Sequence, residues 1–193
     1  MRLALLLFGA VAVSYLVGTV SPATLLARQR GVDLATIGSG NPGATNAARA
    51  LGPRFGIAVG LADMLKGALP AAAFGLADGR AGLAAGFAAV LGHVSSPFLR
   101  GRGGKGVATS AGAVLGSQPL LAPVVLGVWV VVVLVSRWVA LASMAAALAL
   151  PLSAYVLGRR GTVLVWAVAL GTTIVVRHER NVRAKLRSWR RGS

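Results

Sequence analysis

A chain of 193 residues that is 56% hydrophobic, with mean hydropathy +0.76, lacks the composition of a soluble domain and reads as one compact membrane bundle. Its 20 Lys and Arg face four Asp and Glu, a formal charge of +16, and they lie between long apolar runs. They therefore point to anionic lipid headgroups and a phosphorylated small substrate, not to nucleic acid, while the absence of Cys excludes disulfides, thiolate nucleophiles and Cys-based metal sites.

An apolar helix needs about 20 residues to cross the hydrocarbon core. Met1-Arg2 followed by Leu3 to Ala12 has the outline of a signal peptide, but no small-x-small cleavage site follows, so Leu3 to Ala27 is expected to be the first span. The polar, Gly-rich stretch 28–54 comes next. Phe55 to Leu76 is the second run, interrupted by Asp63 and Lys66, and a tight turn, Ala77-Asp78-Gly79-Arg80, leads into a short third run, Ala81 to Leu91. After the basic stretch 92–106, Val107 to Gly116 is again short. Leu120 to Val135 is β-branched, as a lipid-facing helix can be. Val139 to Leu157 and Thr162 to Val176 complete the set, separated by Arg159-Arg160-Gly161, and a basic tail spans 177–193. The expectation is an all-α polytopic bundle forming a single domain, 1–193. It has about seven transmembrane or half-membrane helices, or five full spans if the short pair does not cross.

The distribution of Arg and Lys sets the expected orientation. With the N-terminus outside, both Gly-rich stretches and the tail are cytoplasmic and hold most of the cations, whereas the outer side keeps Arg2, Arg80, Arg159 and Arg160.

Three stretches carry chemistry. The first, Gly38-Ser39-Gly40-Asn41-Pro42-Gly43-Ala44-Thr45-Asn46-Ala47-Ala48-Arg49, combines glycines that let backbone amides approach an anion with neutral hydrogen-bonding side chains and an Arg fork. A helix starting near Pro42 would put Thr45, Asn46 and Arg49 on one face, with its positive end toward the ligand. The second contains Gly92-His93 and then Arg102-Gly103-Gly104-Lys105-Gly106-Val107-Ala108-Thr109. It has the form of a phosphate loop at a helix start, but Gly106 after Lys105 breaks the Walker A spacing and argues against ATP hydrolysis. The third is Arg177-His178-Glu179-Arg180-Asn181, where His178 and Asn181 meet if the helix continues and His178 can move protons near neutral pH. The cations after it suit an amphipathic, lipid-binding tail. Asp63 and Lys66, at i and i+3 inside a span, either form a structural ion pair or place Lys66 beneath the phosphate site.

Together these residues resemble the bacterial acyl-phosphate:glycerol-3-phosphate acyltransferases, the PlsY family. The resemblance rests on Gly38 to Asn46 with Arg49 and Leu51-Gly52, on Asp63-x-x-Lys66-Gly67, on Gly92-His93 with Gly103 to Thr109, and on Arg177-His178 with Asn181. The chain departs from the family at Ser95 and Gly101, where aromatics are usual, and in the order Glu179-Arg180.

The resemblance implies a multi-pass enzyme of the bacterial inner membrane with its active site facing the cytoplasm, acting as a monomer without cofactor or metal. It would transfer an acyl group from acyl phosphate to the 1-hydroxyl of glycerol 3-phosphate. His178, Asn181, Ser39 and Lys105 would be catalytic. Arg49, Gly103, Gly104, Lys105, Gly106, Thr109 and Lys66 would hold phosphate, and Asn41, Thr45, Asn46 and His93 would orient substrate. His178 would be the general base, or would only orient while the departing phosphate takes the proton. A catalytically impaired relative, or a phosphate- or lipid-binding membrane protein or transporter, are the alternative readings.

Overall fold

The computed structural model describes residues 1–191, and the side chains of all of these except Trp189 and Arg191. Every predicted apolar run is helical, and no strand occurs among the described residues. The helices are α1 (Arg2–Thr19), α2 (Pro22–Gln29), α3 (Ala44–Leu51), α4 (Pro53–Gly75), α5 (Gly79–Val94), α6 (Val107–Ser117), α7 (Ala122–Ser136), α8 (Val139–Val156), α9 (Thr162–Arg177) and α10 (Glu179–Arg191). They form two compact units, Met1–Pro119 and Leu120–Ser193.

Among the described residues, five helical stretches are long and apolar enough to cross a membrane, and a sixth joins them if α9 and the start of α10, bent by 41°, count as one span. The run Ala81 to Leu91 is therefore not a short one. Asp78 caps α5 by accepting from the amides of Arg80 (2.7 Å) and Ala81 (3.3 Å), and helical structure continues to Leu99. Of the two runs expected to be short, α6, with 11 residues, stays so.

The first run is broken. Pro22 brings no amide donor and forces Ser21 into extended backbone, so α1 ends at Thr19. Ser21 then restarts the chain as the cap of α2, its Oγ accepting from the Thr24 amide at 3.3 Å.

Close approaches between small residues fix the directions of the helices in the first unit, as is usual where lipid supplies no hydrophobic drive to association. A β-carbon on Gly18 would strike the Ala89 carbonyl and one on Gly92 that of Tyr15, while Ala10 packs with Ala81 and Ala85, so α1 and α5 run parallel. Helix α4 runs the opposite way. Gly82 of α5 abuts Ala71 and Gly75, and His93 abuts Lys66. Helix α6 follows α4, since Gly67 abuts the Thr109 carbonyl, Gly112 that of Met64 and Gly116 that of Ala68. The stretches 28–54 and 92–106 consequently lie at the same end of this unit.

In the second unit, α8 packs between α7 and α9. Its buried side is mostly Ala and Ser, and Gly171 of α9 approaches the Ala147 carbonyl, where a β-carbon would stand 2.5 Å away. No residue of α7 is buried, in keeping with its β-branched, lipid-facing composition. Arg137 closes α7 in a left-handed conformation with φ 54°.

Candidate active site

The first Gly-rich stretch is organised by one side chain. Asn46, 1% exposed, donates through Nδ2 to the carbonyls of Leu34 (3.1 Å) and Ile37 (2.9 Å). Its Oδ1 accepts from the Ser39 amide (3.2 Å) and from Arg49 Nη1 (3.0 Å). The amide group thus holds the loop's shape and aims Arg49; each buried carbonyl it satisfies would cost about 1–3 kcal/mol if left unpaired. Gly38 lies over this knot with φ +55°, and a β-carbon there would strike Arg49 Nη1 and stand 2.6 Å from Asn46 Oδ1. The helix begins two residues later than expected, at Ala44 with Gly43 as its cap. Asn46 faces inward, while Ser39, Thr45 and Arg49 are exposed and Asn41 is half-buried.

The second stretch folds back on α5. The Gly104 amide donates to the His93 carbonyl at 3.1 Å, which ties the loop to the end of α5. A β-carbon on Gly103 would overlap the same carbonyl, and one on Gly104 would overlap His93 Nε2. Gly106, at φ 81°, caps α6, and Lys105 beside it is half-buried. Inside the first turn of α6, the hydroxyls of Thr109 and Ser110 are buried without a hydrogen-bond partner among the described residues.

Beneath this turn lies a buried polar cluster. Lys66 Nζ stands 2.8 Å from Asp63 Oδ1 and 2.7 Å from His93 Nδ1, and it donates to the Val20 carbonyl at 2.7 Å. Asp63, Lys66 and His93 are all less than 10% exposed. Lys66 therefore caps the carbonyl exposed by the break after α1, and Ser96 Oγ takes the neighbouring Thr19 carbonyl at 2.7 Å. Of the two readings of the Asp63–Lys66 pair, the ion pair is observed, and Lys66 also abuts His93, on which the Gly103-Gly104 turn rests.

The two helix starts share one side of α4. Helix α3 covers Gly56 and Gly60 and runs against α4, with Ala44 nearest Gly60; α6 covers Met64, Gly67 and Ala68 and runs with it. These positions form a single stripe at 100° per residue. The positive ends of α3 and α6 therefore face each other along α4, close to the level of Asp63. Facing helix starts of this kind favour an anion between them.

In the second unit, His178 is 2% exposed and its Nδ1 lies 2.8 Å from the Ile174 carbonyl. A carbonyl only accepts, so Nδ1 carries the hydrogen and Nε2 is the basic nitrogen of the neutral ring. The helix bends here instead of continuing straight, and the amide of the half-buried Asn181 donates to the His178 carbonyl at 2.9 Å. Helix α10 follows with exposed Arg180, Arg183, Lys185, Arg187 and Arg190; Arg183 pairs with Glu179, and Val182 and Leu186 recur at helical spacing.

An all-helical integral membrane protein with two Gly-rich helix starts is the class these features define. The chain belongs to the glycerol-3-phosphate acyltransferase family, whose family model matches residues 8–188. It is 42% identical over 175 residues to the glycerol-3-phosphate acyltransferase of Geobacter sulfurreducens, covering 89% of this chain and 90% of that one. With the enzyme of that name from Aquifex aeolicus it shares 40% identity over 173 residues, 88% of this chain and 90% of the other. Its fold matches the crystal structure of PlsY, an integral membrane glycerol 3-phosphate acyltransferase, in the glycerol 3-phosphate form. The TM-score is 0.91 at 37% identity, over 94% of this chain and 92% of that one. The lysophosphatidic acid form of PlsY matches with a TM-score of 0.88.

Proposed function

We propose that this chain transfers a fatty acyl group from an acyl phosphate to the 1-hydroxyl of glycerol 3-phosphate, at the cytoplasmic face of a bacterial inner membrane. The hydroxyl oxygen bonds to the acyl carbonyl carbon, the bond from that carbon to the phosphate oxygen breaks, and lysophosphatidate and inorganic phosphate leave. The mixed anhydride is already activated, so no acyl-enzyme is needed, and catalysis rests on positioning and charge stabilisation.

The observation that carries this reading is the pair of helix starts facing each other over one stripe of α4. Two reactants that each bear a phosphate call for two anion sites set close together. Lys105, the amides of Gly103 and Gly106 and the buried hydroxyl of Thr109, in the first turn of α6, are proposed to hold one phosphate. Arg49, with Ser39, Asn41 and Thr45, is proposed for the other. Asn46 contributes shape, since its side-chain amide is spent on the first loop, and Gly104 ties the second loop to α5 through its amide bond to the His93 carbonyl. His178, with Nε2 as its basic nitrogen, is proposed as the general base that accepts the hydroxyl proton, and Asn181 as its companion in orienting the glycerol. The basic, amphipathic α10 fits a surface of anionic lipid headgroups.

The purified protein, given palmitoyl phosphate and labelled glycerol 3-phosphate in detergent or bicelles, is expected to form labelled lysophosphatidate with release of phosphate. Palmitoyl coenzyme A in place of the acyl phosphate should give no product. Well-folded protein that forms no lysophosphatidate from the acyl phosphate would overturn the reading, and turnover with the thioester would overturn the choice of donor.

A further inference from the structure

The Asp63–Lys66–His93 cluster touches the end of α1, the end of α5 and the turn before α6, yet it has no part in the mechanism above. A buried ammonium and carboxylate are costly to desolvate, and a structural pair needs no third member. Here Lys66 has three partners at once: Asp63 at 2.8 Å, His93 Nδ1 at 2.7 Å and the Val20 carbonyl at 2.7 Å. Asp63 Oδ1 also lies 3.5 Å from His93 Nδ1.

An ammonium has hydrogens to give and no lone pair, so it can bond Nδ1 only as donor. The imidazole hydrogen must then sit on Nε2. That edge of the ring faces Gly104, where a β-carbon would overlap Nε2. The backbone closes the arrangement, because the Gly104 amide is bound to the carbonyl of the same histidine. Side chain and main chain of His93 thus support one turn from two sides, and Lys105 is the next residue.

We propose that Asp63, Lys66 and His93 are positioning residues. Asp63 orients Lys66, Lys66 fixes the His93 ring with its N–H at Nε2, and the Gly103-Gly104 turn rests against that edge, so that Lys105 and the start of α6 are held in register for phosphate. Through the Val20 carbonyl the same lysine ties the break of the first span to this turn. The inference rests on the proposed acyl transfer for its kinetic consequence and on the geometry alone for its tautomer.

The test has two arms. In protein labelled with ¹⁵N-histidine, ring nitrogen shifts should report His93 as the Nε2–H tautomer. The double substitution Asp63→Leu with Lys66→Met removes both charges together, so that no lone buried ion is left, and should release the ring to the other tautomer or to a mixture. A wild-type ring protonated at Nδ1, or one whose shifts do not respond to the double substitution, would overturn the proposal whether or not the protein is active. In the kinetic arm, the folded double variant should lose about 100-fold in kcat, the cost of a displacement of about 1 Å at a reacting site, with KM for glycerol 3-phosphate changed less than about threefold. His93→Gln, whose amide can reach the Nε2 position, should retain more activity than His93→Asn, whose amide reaches only Nδ1. Equal losses in the two histidine variants, or an unchanged kcat in the double variant, would overturn it. Absence of turnover in the wild type would sink the proposed reaction and leave the tautomer arm to decide this inference.

Discussion

Lys105→Ala is expected to lower the rate of acyl transfer by at least about 100-fold while the protein still inserts and folds. Lys105 stands immediately before Gly106, the cap of α6, and is half-buried beside the first turn. A fixed charge at this point adds to the helix's own positive end, and in the proposed reaction both would act where negative charge concentrates as the phosphate leaves. Removing one preorganised donor from such a site costs about 10²–10³ in rate, because the low-dielectric surroundings leave little else to compensate. Lys105→Arg keeps the charge but replaces a compact ammonium with a broad planar fork, and should fall between wild type and alanine. Initial rates of lysophosphatidate formation, with the elution profile and helical circular dichroism as folding controls, check both. Alanine activity within about threefold of wild type would remove Lys105 from the mechanism.

Gly103→Ala should be nearly as damaging, for a steric reason. The added carbon would overlap the His93 carbonyl and stand 2.8 Å from the carbonyl carbon of Val94 and 2.9 Å from that of His93. These are backbone atoms in the last turn of α5, which cannot swing aside as a side chain can. The turn must move instead, and a shift of about 1 Å at the reacting centre is enough to cost about 100-fold. The damage should be local, because α5 and α6 keep their contacts with α4. Gly127→Ala serves as the control: a β-carbon there meets nothing within 4 Å, and activity should be unchanged. A fully active Gly103→Ala would mean that the turn's approach to α5 is not needed for turnover.

Much of this architecture was legible in the sequence, because a membrane imposes a length and a polarity on every element that crosses it. The seven apolar runs are all helical for that reason. The apolar residues Ala81 to Leu91 understate their helix, because the Asp78 cap and the turn to Leu99 extend it at both ends. The break at Val20 had its signal in Ser21-Pro22, overridden by an unbroken apolar run.

The chemistry of the loops was readable as residue types but not as directions. Ser39, Asn41, Thr45, Asn46 and Arg49 look alike as hydrogen-bonding groups in a glycine-rich stretch, yet Asn46 turns inward and spends its amide on the loop while Ser39, Thr45 and Arg49 stay at the surface. Gly104 is similar, since nothing local announces that its N–H goes to a residue on the preceding helix. The cluster under the second turn lay furthest from view. Asp63 and Lys66 are neighbours by helical spacing, but His93 and Val20 reach them only through the packing of three helices, which no short-range pattern encodes.

A shared phosphate site requires residues 38–49 and 103–109 to open at one end of the same unit. The chain has no Cys, so Ser39→Cys and Arg102→Cys, both at exposed positions, each carry a single reactive thiol. Intact bacterial spheroplasts treated with a membrane-impermeant maleimide should leave both unlabelled, and both should react once the inner membrane is opened. Labelling of one from outside and the other only from within would put the two phosphate-seeking turns on opposite faces of the bilayer and contradict the shared site.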